Sequence, residues 1–397
     1  MIAVGIDVSK SKSTIAVLSS TGEIILKPSE IHHNEYDLGQ FIAMLKSHND
    51  EIRIVMEATG HYHYPILKQL LAANLFVSLV NPYLMKKYGD NEIRKGKTDK
   101  KDAMRIAKYA LEKAYFLTPY TGIDEKYNDL KFLSRQYNQN VSMKVKARVQ
   151  LSNLLDEIMP GIQSILTSNT YDPDDNLLYR FIEKYESFDT IKAMTEKRFI
   201  SSYVKFAYKS GARNPQMKAL KIYETATKSI TTRGVNTSTL VAVKNALLLL
   251  KQTETSSNAI LSQMQSIAST LPEYPVVRAM NGVGDKLAPR LIAEIGDVRR
   301  FKNARALNAY AGNDAPPFQS GQYESLNRHI SKRGSASLRK AGYEVMQSLK
   351  LHKPENDAVY LFMIKKEGEG KPKNVAKMAG VNKFLHIYYA RVTEIYR

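Results

Sequence analysis

The spacing of apolar residues changes character near residue 121, and this change limits the folds open to the chain. Before it, short apolar runs of strand length alternate with stretches of helical period; beyond it, long helical patterns take over. Runs at 2–8, 13–19 and 22–27, the last after a Ser-Thr-Gly turn signal, predict a meander of three strands. Residues 36–45 place Leu38, Phe41, Ile42 and Leu45 on one helical face. A fourth strand is expected at 52–56, a helix at 64–73 after the Thr59-Gly60 break, and a fifth strand at 75–80, stopped by Asn81-Pro82. A helix at 98–112 closes this part, so residues 1–121 read as a mixed-sheet α/β domain.

Residues 122–271 read as helical, with long helices at 127–158, ended by Pro160-Gly161, and at 238–271. The second carries an apolar stripe through Leu240, Val243, Ala246, Leu247 and Leu250. Between them, 171–233 is looser, with turn signals at Asp172-Pro173 and Asn214-Pro215. Two readings stay open: a helical hairpin or coiled-coil arm with an inserted lobe, and a compact bundle, because the heptads are not clean. Residues 272–397 read as mostly short helices and loops. The fold class is thus multidomain, α/β followed by α.

Charge sharpens the division. The net charge is +19, yet 1–120 hold 16 basic and 13 acidic residues, 121–320 hold 27 and 19, and 321–397 hold 15 and 7. A near-neutral first domain and a basic remainder suggest carboxylates kept for chemistry in one place and phosphates gripped in another. With 43% hydrophobic residues, the chain is not a disordered polycation. Nucleic acid is therefore expected as partner before a membrane surface. The absence of cysteine excludes disulfide scaffolds, zinc knuckles and thiol nucleophiles. No leader pattern opens the sequence and no apolar run is long enough to span a bilayer, so a soluble intracellular protein is expected.

Asp7 sits inside the first apolar strand and Glu57 closes the fourth, positions where a carboxylate is costly unless something cationic satisfies it. Asp99 and Asp102 are spaced to share one helix face. Together the four form an oxygen-only donor set of the kind that selects Mg²⁺ or Mn²⁺. Taken separately, Asp99 and Asp102 also suit an ordinary solvated first turn, and Asp7 or Glu57 a strand-end carboxylate touching water. Further along, Gly282-Val283-Gly284 resembles the turn of a helix-hairpin-helix, which holds a DNA phosphate on backbone N–H groups; such a turn is also common as plain structure. Lys286, Arg290, Arg299 and Arg300 lie near it. In the basic tail, Ser320, Ser325, Ser331, Ser335 and Ser337 stand among Arg328, His329, Lys332, Arg333, Arg339 and Lys340. A serine attacking phosphate needs such a cationic field, but composition does not choose among the five.

The ensemble resembles the DEDD transposases of bacterial insertion sequences, the group described as bridge-RNA-guided recombinases. Val4-Gly5-Ile6-Asp7, Met56-Glu57-Ala58-Thr59-Gly60, Asn81-Pro82 and Lys97-Thr98-Asp99-Lys100-Lys101-Asp102-Ala103 match its amino-terminal motifs. Ala311-Gly312, Gln319-Ser320-Gly321, Ile330-Ser331-Lys332-Arg333-Gly334 and Ser337-Leu338-Arg339 match its carboxy-terminal domain. The resemblance implies a RuvC-like, ribonuclease-H-type domain over 1–121, a coiled-coil region with an inserted lobe over 122–271, and a transposase domain over 272–397. It implies that Asp7, Glu57, Asp99 and Asp102 bind Mg²⁺ and that Ser320 forms a phosphoserine link to DNA. Lys97, Lys100, Lys101, Gly282, Gly284, Lys286, Arg328, Lys332, Arg333 and Arg339 are the expected nucleic-acid contacts. Donor and target DNA, a structured noncoding guide RNA, a tetramer built as a dimer of dimers, and a cytoplasmic, nucleoid-associated setting in bacteria follow from the same resemblance. Two other functions remain: a RuvC-type nuclease using water, and a non-catalytic nucleic-acid-binding derivative.

Overall fold

The computed structural model describes residues 1–58, 62–89, 98–120, 122, 124–166, 173–210, 212, 214–316, 319–320, 323–324 and 329–397, the short stretches at 319–320 and 323–324 by backbone course alone. The chain divides into two compact units, Met1–Gly122 and Ile123–Arg397.

The first unit is a mixed sheet of β1 (Ile2–Val8), β2 (Lys12–Leu18), β3 (Ile24–His32), β4 (Ile52–Glu57) and β5 (Val77–Val80), in the order β3-β2-β1-β4-β5. The first three strands pair antiparallel, whereas β1, β4 and β5 run parallel. This strand order, with three antiparallel strands followed by two parallel ones, is that of the ribonuclease-H-type mixed sheet that the resemblance implies. Helices α1 (Glu35–Ser47), α2 (Tyr64–Ala72), α3 (Pro82–Gly89) and α4 (Asp99–Glu112) cover it. Ile2, Val4, Ile6 and Val8 pack with Leu38 and Phe41 of α1 and Ile66 and Leu70 of α2. Ala3 and Val55 face the other way, onto Ala103, Ile106, Ala107 and Ala110 of α4. Being buried on both faces, β1 reads in sequence as a continuous apolar run.

The second unit is helical. Helices α5 (Glu125–Ile158) and α11 (Thr237–Ala268), 34 and 32 residues long, form an antiparallel pair. At about 1.5 Å per residue each spans roughly 50 Å. Between them fold α6 (Ile162–Ile165), α7 (Leu177–Tyr185), α8 (Phe188–Lys192), α9 (Glu196–Tyr208) and α10 (Pro215–Lys228). This lobe packs Phe181, Tyr185, Phe188, Phe199 and Tyr203 against Leu151, Leu155, Val243 and Leu247 at one end of the pair. The helices between α5 and α11 thus gather on one end of the long pair.

The other end of the pair enters a second core with α12 (Tyr274–Arg278), α13 (Gly284–Ile295), α14 (Ala304–Tyr310), α15 (Ala336–His352), α16 (Ala358–Gly368) and α17 (Lys373–Ile395). Between the two cores every residue of α5 from 135 to 146 is at least partly exposed. There α11 presents buried Thr253 and Ser257, and Asn140 donates to Ser256 across the pair at 3.1 Å. The expectation of mostly short helices in 272–397 is corrected: α15 has 17 residues and α17 has 23. Gly342 and Gly380 interrupt their apolar patterns because they are contact points, where a Cβ would fall 2.9 Å from Val381 and 2.6 Å from Met363. A two-residue antiparallel pairing, β6 (Gln319–Ser320) with β7 (Tyr323–Glu324), was also not expected.

Candidate active site and nucleic-acid interface

Strands β1 and β4 pair with Ile6 opposite Met56, so Asp7 and Glu57 come next, side by side, at the strands' carboxyl ends. Strand alternation turns both toward the face of Ala3 and Val55, where α4 lies. Both carboxylates are half-buried.

Helix α4 is seated by Gly5. A Cβ there would fall 2.2 Å from the Ala107 backbone nitrogen and 2.3 Å from the Ala103 carbonyl oxygen. Near the end of α4, Leu111 reaches the β2–β3 turn at Gly22, a turn that follows Leu18, the partner of Ala3 at the start of β1. The helix thus runs antiparallel to β1 and brings its first turn to the end that holds Asp7. Lys100 of that turn supports this placement. Glu30 is held below the usual carboxylate range mainly by its 2.7 Å hydrogen bond from Lys12, with Lys100 adding to the effect. Glu30 pairs with Thr14, which pairs with Asp7.

Thr98 caps α4 by accepting from the Lys101 N–H, so Asp99 and Asp102 lie in the first turn, where carboxylates favour the helix dipole. Asp99 is exposed, whereas Asp102 accepts from Arg105 at 2.8 Å, both partners being largely shielded. The fold brings the four acids to one end of one face. Their side chains do not close into a ligand set: among the described residues no group of three or more His, Asp or Glu is placed to hold a metal ion. As a donor class the four carboxylates fit a hard divalent cation, and Asp102 would have to leave Arg105 to join.

Of the expected nucleic-acid contacts, Lys97 and Arg328 lie outside the described residues. Lys100 and Lys101 are exposed on the first turn of α4, as are Lys286 in α13 and Lys332 and Arg333 before α15. The two turn glycines differ. Gly282, at φ +80°, presses on α15, where a Cβ would meet Leu349 at 2.9 Å and the Val345 carbonyl at 3.0 Å. Gly284, at φ +58°, opens α13 and has open space where a Cβ would stand. The arginines near them are engaged within the fold. Arg290 is buried and grips Glu344 with two N–H groups at 2.5 and 3.2 Å, its guanidinium over the Tyr137 ring. Arg299 pairs with Asp297, and Arg300 lies over the Phe301 and Tyr310 rings. Arg339 donates to the Ala311 and Gly334 carbonyls at 2.7 and 3.2 Å.

The structure also separates the serines. Ser335 caps α15, accepting from the Leu338 N–H, and donates to Glu294. Ser331 donates to the Asp314 carboxylate at 2.5 Å. Both hydroxyls are thus engaged. The backbone of Ser320 pairs with that of Tyr323, while its side chain, like all of Ser325, lies outside the described residues. Arg105 and Asp314 lie outside the motifs, and Gly5, though inside the first of them, has no role assigned to it there. Only Gly5 carried a signal, since a glycine within a strand marks close approach of another backbone.

Two family profiles match. One for the DEDD transposases of IS110 elements, described as transposase, covers 4–160, and one described as transposase of the IS116/IS110/IS902 family covers 274–361. The chain is 23% identical over 372 residues to an insertion element IS116 uncharacterized 44.8 kDa protein of Streptomyces clavuligerus, covering 93% of this chain and 89% of that one. It is 36% identical over 107 residues to a transposase for insertion sequence element IS1533 of Leptospira borgpetersenii, covering 27% of this chain and 30% of that protein. Thermus thermophilus RuvC, solved with a Holliday junction substrate, aligns over 30% of this chain and 99% of its own at 15% identity and a TM-score of 0.23, so the sheet order and not this likeness carries the fold reading. Two transposase profiles in chain order, set on the sheet and acids described above, place the protein in the IS110-type DEDD transposases of insertion sequences.

Proposed function

We propose that this transposase cuts, exchanges and rejoins DNA strands through the hydroxyl of Ser320, with a divalent cation at Asp7, Glu57, Asp99 and Asp102. The observation that carries the reading is the meeting of the two strand-borne acids and the first turn of α4 at one end of one sheet face. When bound, Mg²⁺ or Mn²⁺ there would neutralise phosphate charge and orient it. In the strand-transfer step the Ser320 hydroxyl loses its proton, an O–P bond to the scissile phosphate forms, and the P–O bond to the leaving deoxyribose breaks, releasing a hydroxyl. Attack by a hydroxyl of the exchanged strand reverses these bond changes and frees the serine. No net bond energy is lost, so no external energy source is needed.

The engagement of Ser331 and Ser335 with Asp314 and Glu294 supports Ser320 over these two neighbours. The exposed Lys332 and Arg333 supply a cationic surround without base-reading chemistry. Sequence choice then falls to a structured guide RNA pairing with donor and target, the tetrameric assembly of the resembling family providing the scaffold. The test is to trap protein on DNA carrying the element's ends under denaturing conditions. Ser320→Ala is expected to lose the covalent adduct and strand exchange; unchanged cleavage would leave the water-using nuclease as the better reading. Recombination persisting in Asp7→Asn would remove the metal site. Sequencing RNA that copurifies with the protein tests guidance: segments complementary to the element ends and target are expected, and random cellular RNA would overturn it.

A further inference from the structure

Ser320 lies in sequence between two short segments, 310–314 and 331–335, and these are fastened to each other by four hydrogen bonds at three levels. The Ser335 N–H donates to the Tyr310 carbonyl at 2.8 Å, the Lys332 N–H to the Gly312 carbonyl at 3.0 Å, and the Ser331 N–H to the Asp314 carbonyl at 2.7 Å. The fourth is the side-chain bond from Ser331 to Asp314 at 2.5 Å. Side chains take no room between the segments lower down. A Cβ on Gly334 would fall 2.2 Å from the Tyr310 carbonyl oxygen, and one on Gly312 2.6 Å from the Gly334 nitrogen. Lys332 is held at φ +54°, a conformation that a lysine adopts only where its surroundings impose it. Below the clasp, Arg339 ties the Ala311 and Gly334 carbonyls together.

From this geometry we infer that Asp314 and Ser331 are positioning residues: their bond is the outermost tie between the two segments that flank Ser320 in sequence, and so governs how that serine is presented to DNA. The inference rests on the serine reading above. A backbone ladder alone would hold the segments together. The carboxylate–hydroxyl bond adds a charge-assisted tie at the one rung nearest the loop, where fraying would otherwise begin. Neither residue touches DNA in this account, and neither belongs to the acidic set.

The experiment compares Asp314→Ala, Ser331→Ala, their double variant and Asp314→Asn in the full-length protein. Readouts are the rate of denaturation-resistant adduct on element-end DNA, equilibrium binding of the same DNA, and chymotrypsin cleavage at Phe318 and Tyr323. Each alanine variant is expected to slow adduct formation by about tenfold or more, with DNA affinity unchanged. The double variant should be no slower than the worse single, because both singles already remove the Asp314–Ser331 bond. Asp314→Asn, which keeps an acceptor oxygen, should recover most of the rate. Wild-type rates in either alanine variant, or multiplying effects in the double, would overturn the proposal. So would a parallel loss of DNA binding. Cleavage within the loop should quicken in the alanine variants whether or not chemistry is observed, and unchanged cleavage would also sink the idea. If Ser320→Ala still forms adduct while Asp314→Ala does not, the serine assignment fails and the clasp stands.

Discussion

The Ser134 hydroxyl, on the long helix α5, donates to the Glu294 carboxylate of α13 at 2.8 Å, and Glu294 is buried. Ser335, the cap of α15, donates to the other oxygen of the same carboxylate at 3.3 Å. One acid therefore joins three helices. Glu294→Ala is expected to leave two hydroxyls without an acceptor and to destabilise the second unit by about 2 kcal/mol or more. Glu294→Gln, which keeps one carbonyl oxygen, should cost less. Urea unfolding followed by circular dichroism measures both, and equal losses would contradict the role of the second acceptor.

Gly5→Ala is the sharpest probe of how the acids are assembled. The added methyl would lie within 2.3 Å of two backbone atoms of α4, neither on a flexible side chain. We expect a loss of about 3 kcal/mol in the first unit and loss of strand cleavage, since the displaced helix carries Asp99 and Asp102. Cleavage at the wild-type rate would show that α4 need not sit on β1.

The two turn glycines should respond differently. Gly282→Ala adds both a clash with α15 and strain at φ +80°, and is expected to cost about 2–3 kcal/mol. Gly284→Ala meets open space at φ +58° and should cost about 1 kcal/mol. If the turn also holds phosphate, Gly284→Ala lowers DNA affinity out of proportion to its stability effect. Thermal unfolding alongside DNA titration separates the two.

Alkaline pH tests the cluster around Glu273. Tyr127 and Tyr396 donate to this buried carboxylate at 2.6 and 2.5 Å. Burial, then the bond to Glu273, pushes the Tyr396 phenol up to about 12, and the same two causes raise Tyr127. In the unfolded chain a tyrosine ionises near 10, so above that pH the unfolded state binds fewer protons than the folded one. The contribution of Tyr396 is complete below pH 10 and declines as pH rises toward 12. Tyr396→Phe should lessen that decline in urea midpoints between pH 10 and 12, and an unchanged slope would count against the cluster.

Metal binding has a readout apart from catalysis. If the four acids take a divalent cation, Mg²⁺ or Mn²⁺ at about 100 times its Kd raises stability by about 2.7 kcal/mol. Asp7→Asn should remove that rise, and a chelator should stop strand cleavage in the wild type. A wild-type melting curve indifferent to either ion would count against the site.

Much of this was legible in the residues, for identifiable reasons. The strand at 2–8 is buried on both faces and stands out as an apolar run with an incongruous acid, Asp7, inside it, and the strand at 52–57 buries Ile54, Val55 and Met56 just before Glu57. The long helices α5 and α11 follow from their period and from the breaks after them. The seat of α4 was not legible, because Gly5 meets a backbone contributed by a distant part of the chain. Nor was the clasp, since Asp314 and Ser331 stand 17 positions apart and nothing in either's neighbourhood names the other as its partner. Arg290 and Arg299 lie near the Gly282 turn in sequence, and Arg339 is among the contacts that the resemblance implies. Sequence does not tell a cation facing solvent from one engaged with Glu344, Asp297 or backbone carbonyls.

The stretch of the helix pair between its two cores makes the second unit a poor fit to a single cooperative transition. Residues 138–146 of α5 include no fully buried side chain, and the facing turns of α11 offer Thr253 and Ser257, whose hydroxyls turn back to their own helix carbonyls. Little apolar surface there couples the melting of one core to that of the other. Heat or denaturant can therefore release the aromatic lobe while the carboxy-terminal core keeps its fold, and amide exchange should resolve two classes of protection along one continuous helix.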